Sequence, residues 1–241
     1  MAKLSNPAFS ENTLKKAHQE DFYEALTAHG TANKTILLAV LLLLSGAVTF
    51  FYVSALSYGL LIGLVFVGLI LSIITIAAPR AAFITAPVYT VVEGALLGTI
   101  SKVFAGLYNG IVFDAIIMTT AILLISLLCF RTGLVKVTSK FRAVVLMATA
   151  GIAVVYLLNI VLSLFHYQVP FLNNTGWVGI LISVAIVFIA SLNFFLDFQN
   201  IIDAEKYGVP KYMEWYFGFG VILTLVWLYL EVLRLLSKIR N

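Results

Sequence analysis

The stretch Tyr58–Ala78, YGLLIGLVFVGLILSIITIAA, runs for 21 consecutive residues without a charged side chain. About 20 apolar residues in a helix are enough to cross a lipid bilayer. The whole chain is 62% hydrophobic and only 11% charged, whereas soluble domains are about 45–50% apolar and about 25% charged. The sequence therefore predicts an integral membrane protein.

Six further stretches are long and apolar enough to cross the membrane. With the first stretch they give seven predicted spans, near Thr35–Leu56, Tyr58–Ala78, Ala82–Val103, Gly110–Phe130, Ala143–Phe165, Trp177–Ile201 and Tyr212–Leu236. Every backbone polar group in lipid must be satisfied internally, so helices are the spanning structure expected at this run length. The predicted fold class is an all-α integral membrane protein with seven transmembrane helices.

The first span is preceded by a polar segment that lacks the hydrophobic core of a signal peptide. Within it, Ser10–Gly30 places apolar residues at roughly helical spacing after the candidate caps Ser10 and Asn12. This pattern predicts a short amphipathic helix on the membrane surface. The predicted organisation is a cytoplasmic N-terminal segment, residues 1–33, and a seven-helix transmembrane domain, residues 34–241.

The lysines and arginines predict the orientation. A cytoplasmic N-terminus places eleven of them in inside segments, namely Lys3, Lys15, Lys16, Lys34, Arg80, Arg131, Lys136, Lys140, Arg142, Lys206 and Lys211. Four lie outside, namely Lys102, Arg234, Lys238 and Arg240. The excess of positive charge on one side favours a cytoplasmic N-terminus and an outside C-terminus, although a re-entrant span would return the basic tail to the cytoplasm. The net charge of +4 follows from this flanking pattern and is not interpreted as nucleic-acid binding.

Two pairs of glycines lie four residues apart within predicted spans, Gly59 with Gly63 and Gly94 with Gly98. Small residues at this spacing let two helix backbones approach closely. We expect both pairs to pack against other helices of the same chain.

Acidic side chains inside apolar runs are the candidate functional groups. Asp197 lies in Asn193–Ile202, NFFLDFQNII, and an ionised side chain in hydrocarbon costs at least ~2.5–3.5 kcal/mol on insertion scales. From the helical rise, Glu93 is expected roughly 16 Å and Asp197 about 6 Å from the cytoplasmic ends of their spans. Glu214 opens the seventh span, so these three acids are expected in one cytoplasmic half. Glu231 lies towards the opposite end.

Carboxylates clustered in a low dielectric hold a proton between them, because desolvation and like charges both disfavour the ionised form. Deprotonation creates an oxygen site of the kind that calcium prefers. The acids therefore predict a pH-gated cation path with Asp197, Glu93, Glu231 and Glu214 as sensor or pathway residues, and Asp197 as candidate calcium ligand. The alternative is that each acid is hydrogen-bonded by a Ser, Asn or Tyr neighbour and only braces the bundle.

Enzyme signatures are absent from the sequence, which contains no H-E-x-x-H, G-x-S-x-G or P-loop motif. We expect no catalytic residues and no cofactor apart from calcium as the transported ion. The expected partners are the lipid bilayer and calcium or other cations, with no nucleic acid.

Three pieces of the chain carry a family resemblance. They are Tyr89–Ile100 (YTVVEGALLGTI), Leu196–Ile202 (LDFQNII) and the last span, Tyr212–Ile239. Together they resemble the Bax inhibitor family, the transmembrane Bax-inhibitor-motif proteins, and within it a bacterial branch. The resemblance runs from about Gly30 to the C-terminus, and it implies a seven-helix fold, a pH-sensitive calcium leak and a bacterial plasma-membrane location.

The resemblance also implies that an aspartate pair from the sixth and seventh spans acts as the pH sensor. Asp197 matches the first position. One alignment places Glu231 at the second position, and another, which matches more residues of the last helix, places Thr224 there. In the second case Asp197 takes its partner from Glu93 or Glu214, or senses pH differently or not at all.

The function expected from these observations is a pH-sensitive calcium leak or cation-permeation pathway. Two alternatives stay open. One is a non-conducting scaffold that regulates other membrane proteins through its N-terminal helix and the basic loop Arg131–Arg142. The other is a proton-coupled carrier of a small solute.

Overall fold

The computed structural model describes residues 24–53, 58–165, 167 and 175–241. Among these residues it contains seven helices that are long and apolar enough to cross a membrane. We number them α1 (Ala28–Tyr52), α2 (Tyr58–Ala77), α3 (Ala82–Leu107), α4 (Ile111–Arg131), α5 (Ser139–Ser163), α6 (Trp177–Lys206) and α7 (Met213–Arg240). The prediction of an all-α protein with seven spanning helices is confirmed.

The predicted interfacial helix at residues 10–30 falls mostly outside the described residues. Helix α1 begins at Ala28, so the last three residues of that stretch belong to the first span. The start of α1 is set by Thr27, an extended N-cap residue whose hydroxyl accepts a hydrogen bond from Gly30 N at 2.9 Å. A threonine in this position satisfies one of the amides that a helix leaves open at its N-terminus.

Helix α6 extends beyond the span predicted from hydropathy. It ends at Lys206 rather than Ile201, and the chain then turns at Gly208 with φ of +63°, a conformation that glycine adopts without strain. Apolar runs mark the length embedded in lipid, whereas a helix continues until a residue of this kind stops it. Asp197 is consequently nine residues, about 14 Å, from the end of its helix.

Many large apolar side chains point away from the protein interior. Ile36, Leu43, Phe66, Leu128 and Leu157 are each more than half exposed. Soluble monomers rarely expose apolar surface on this scale, and the lipid bilayer is the environment in which such side chains are stable. The protein is therefore an integral membrane protein that sits in the bilayer.

The chain divides into two compact units. The first contains Met1–Leu107 and Gln199–Leu223, and the second contains Tyr108–Phe198 and Thr224–Asn241. In the first unit α3 packs against both α1 and α2. A buried cluster beside these helices consists of Leu26, Ala82, Ala204, Val209, Met213, Tyr216 and Phe217.

Glycines allow the close contact between α1 and α3. A Cβ added at Gly98 would lie 2.2 Å from the carbonyl oxygen of Gly46, and one at Gly94 would lie 2.4 Å from that of Leu42. The packing predicted for this pair is confirmed. For Gly59 and Gly63 the prediction of close helix packing is wrong, because within the described residues no atom lies within 4 Å of an added Cβ at either position.

Candidate functional site

Asp197 lies in the second unit, on a part of α6 surrounded by buried apolar residues. It is 5% exposed, and the three residues before it, Phe194, Phe195 and Leu196, are also buried. Thr224 Oγ1, on α7, donates a hydrogen bond of 2.6 Å to Asp197 Oδ2. The carboxyl group therefore joins α6 to α7 through a neutral hydroxyl group.

This contact decides between the two positions that the sequence left open for the partner of Asp197. Thr224 lies against the carboxyl group, whereas Glu231 lies seven residues further along α7, which is two turns or about 10 Å. The hydrogen-bond partner that the described structure gives Asp197 is thus a hydroxyl group. Two like charges at this contact would have to share a proton, and a threonine removes that requirement.

Glu231 is held in a separate polar cluster of the second unit. Tyr156 Oη, from α5, donates to Glu231 Oε1 at 2.8 Å and lies 2.9 Å from Oε2, and Trp227 Nε1 donates to Oε1 at 3.2 Å. Arg234 forms an ion pair with the carboxylate at 3.2 Å and lies over the Tyr156 ring. The negative charge of Glu231 is therefore compensated by a cation and two neutral donors, as in a structural ion pair.

Glu214 and Glu93 both lie in the first unit and have different neighbours. Glu214 Oε1 accepts hydrogen bonds from Thr27 N and Oγ1, each at 3.2 Å, so this carboxylate binds the N-cap residue of α1. Glu93, on α3, faces α2, where a Cβ added at Gly68 would lie 3.2 Å from its Oε2. These two acids, both predicted to line the ion pathway, therefore contact different parts of the first unit.

Calcium takes six to eight oxygen ligands in proteins. No group of three or more acidic, histidine or cysteine side chains in the described part of the chain is arranged to hold a metal ion. Asp197 and Thr224 supply one carboxylate and one hydroxyl. This donor set is smaller than the six to eight oxygen atoms that a resident calcium ion takes.

The sequence contained signals for part of the Glu231 cluster. Trp227 and Arg234 lie four residues before and three residues after Glu231, which places all three on one helix face. The contribution of Tyr156 from α5 carries no local signal, because it depends on how two helices distant in sequence pack together.

A comparison with protein families gives a match over nearly the whole chain. A family model described as Bax inhibitor 1 like matches residues 6–241. Comparisons with curated proteins and with solved structures each found no significant match. The family match covers the stretches that carry the resemblance, including the segments around Glu93 and Asp197 and the whole last helix. The chain therefore belongs to the Bax inhibitor 1-like family of membrane proteins.

Proposed function

We propose that the protein is a pH-sensitive cation leak, with calcium as its ion, and that Asp197 is the group that gates it. The observation that carries the proposal is the pairing of a buried carboxyl group with a neutral hydroxyl, Thr224 Oγ1, inside the spans. Glu231 is equally buried but has Arg234 beside it. Among these two acids, Asp197 is therefore the one whose charge has no compensating cation in the described hydrogen-bond network.

The proposed mechanism follows from the cost of that charge. An ionised side chain at a helix centre in the membrane costs at least ~2.5–3.5 kcal/mol on insertion scales. In its neutral form Asp197 can stay buried and bonded to Thr224, which holds α6 against α7. When the proton leaves, water or a cation must approach the carboxylate to offset this cost. Movement of α6 or α7 that admits water then opens a polar route.

The orientation and location belong to the same proposal. The distribution of lysine and arginine supports a cytoplasmic N-terminus, and seven crossings then place the C-terminus outside. The resemblance to a bacterial branch of the family supports a bacterial plasma membrane.

The test is calcium flux into proteoliposomes measured from pH 5 to pH 8. Asp197→Asn keeps the size of the side chain and removes its titration, so we expect a flux that no longer depends on pH. The matched control is Asp203→Asn, the same chemical change on the same helix, where the carboxylate accepts a hydrogen bond from Gln199 at 2.8 Å. The control should keep the wild-type pH profile.

Thr224→Val provides a second variant that leaves the carboxyl group in place. Without the hydroxyl, α6 and α7 lose their link at Asp197, and we expect the pH profile to shift while flux persists. A pH profile in Asp197→Asn that matches wild type would refute the gating role. Equal background flux in every protein, including wild type, would favour the non-conducting scaffold, and saturable counterflow of one solute would favour the carrier.

A further inference from the structure

The residues that precede α1 pair with the turn between α6 and α7. We call residues 24–27 the N-terminal strap. Leu26 N donates to the carbonyl oxygen of Val209 and Lys211 N donates to that of Glu24, both at 2.7 Å. These two hydrogen bonds flank an antiparallel bridge, so the strap runs beside the turn like a short neighbouring strand.

Burial of one apolar side chain adds to this pairing. Leu26 is 1% exposed although the strap residues on either side of it are exposed. It packs in a cluster whose other members come from the end of α6, the turn, the start of α7 and the start of α3. Those members are Ala204, Val209, Met213, Tyr216, Phe217 and Ala82. Apolar burial of this kind is lost when the strap leaves the turn.

Two acids on either side of the turn complete the attachment. Glu214 Oε1 accepts from Thr27 N and Oγ1, and Glu205 Oε1 accepts from Ala28 N at 2.9 Å. Both carboxylates lie at the positive end of the α1 dipole, where negative charge is stabilising. Glu214 occupies space that Gly30 leaves open, because a Cβ there would lie 2.1 Å from Oε1.

The strap thus holds the end of α6 and the start of α7 at the same time, through backbone, apolar and carboxylate contacts. These are the two helices that carry Asp197 and Thr224. We infer that the N-terminal strap is an autoinhibitory clamp, which keeps α6 and α7 from separating and must detach from the turn for the cation route to open. The inference rests on the proposed leak and assigns Glu214 to the clamp rather than to the ion path.

A reversible disulfide across the clamp tests this inference. Glu24 and Lys211 form an ion pair on the surface, with side chains that are mostly exposed, so both can be replaced without loss of packing. The test protein is Glu24→Cys with Lys211→Cys in a Cys129→Ser background, which removes the native cysteine. Loss of free thiols to a maleimide reagent measures how much disulfide forms. The two single-cysteine proteins are the controls for oxidation.

Calcium flux is compared in the same vesicles before oxidation, after oxidation and after reduction. We expect nearly complete disulfide formation, a severalfold fall in flux, and recovery on reduction, with no change in the controls. Failure to form the disulfide, or full disulfide with unchanged flux, would overturn the clamp and leave the leak standing. Absence of flux from wild type and from the reduced protein would instead overturn the proposed leak, and the gating role of the strap with it.

Loosening the clamp should have the opposite effect. Glu205→Ala removes an exposed acceptor outside the ion path, and Glu214→Ala removes the buried one, so each should raise flux across the whole pH range. A pathway role for Glu214 requires a lower flux in Glu214→Ala. That result, in a protein that elutes as wild type on size exclusion, would contradict the clamp, as would unchanged flux in Glu205→Ala.

Discussion

Removal of the Glu231 carboxylate should destabilise the protein and leave its pH response intact. The carboxylate accepts hydrogen bonds from Tyr156 and Trp227 and pairs with Arg234. Glu231→Leu removes the acceptor and leaves three donors inside the second unit. The pH response should persist because Asp197, the proposed gate, is bonded to a different residue of α7.

The magnitude can be worked from these contacts. Each neutral donor, the Tyr156 hydroxyl and the Trp227 indole, contributes about 1 kcal/mol. Loss of a fully buried ion pair costs about 3–5 kcal/mol. The Arg234 side chain is 42% exposed, so water can solvate its charge once Glu231 is removed. Loss of this ion pair therefore costs about 1 kcal/mol or less. The sum is a loss of about 3 kcal/mol in the free energy of unfolding.

Equilibrium unfolding in mixed micelles with increasing SDS, followed by near-ultraviolet circular dichroism, measures this loss. Arg234→Gln and the double variant complete a double-mutant cycle, in which a coupling energy of at least about 0.5 kcal/mol is expected for contacting residues. A loss below about 0.5 kcal/mol, the usual range of a surface substitution, would refute the structural role. So would a flattened pH profile of calcium flux in Glu231→Gln, since that is the behaviour of a sensor.

Two further predictions concern α3 and the N-terminal strap. Gly98→Ala would place its Cβ 2.2 Å from the carbonyl oxygen of Gly46 and should lower the free energy of unfolding by about 1–3 kcal/mol. Gly63→Ala meets no atom within 4 Å in the described chain and should be neutral or stabilising by up to about 1 kcal/mol. The same unfolding assay compares the two variants, and equal effects would contradict the glycine contact. The second prediction concerns pH: a hydrogen bond and the charge of Lys211 hold the pKa of Glu24 below its usual 4.5, and Glu24 raises the pKa of Lys211 above 10.5. The stability that Glu24 contributes to the folded state is thus present above pH 4.5 and is lost as pH falls through its lowered pKa. The stability that Lys211 contributes is lost only as pH rises through its raised pKa. Both groups stay charged from pH 5 to pH 8, so Glu24→Gln should leave the shape of the flux profile unchanged, and a shift of its midpoint would show that this pair contributes to pH sensing.

The acids show most clearly where sequence reasoning is limited. A carboxylate in an apolar run stands out without any knowledge of the fold, because its cost in hydrocarbon is a property of the residue and its neighbours in sequence. Its role depends on which groups face it. Asp197, Glu214 and Glu231 are all acids within or at the edge of an apolar run, yet they meet a hydroxyl, a helix N-terminus and a cation respectively.

By itself the sequence determined that the protein lies in a membrane, how many spanning helices the described residues form and which family the chain belongs to. All three depend on the length and order of apolar runs and on motifs read along the chain. Only the tertiary structure decided that Thr224 meets Asp197, that Tyr156 joins the Glu231 cluster and that residues 24–27 pair with the α6–α7 turn. Each of these contacts joins residues 27 to 187 positions apart. Helical periodicity relates only neighbours within a few turns, so packing between helices determines contacts over such separations.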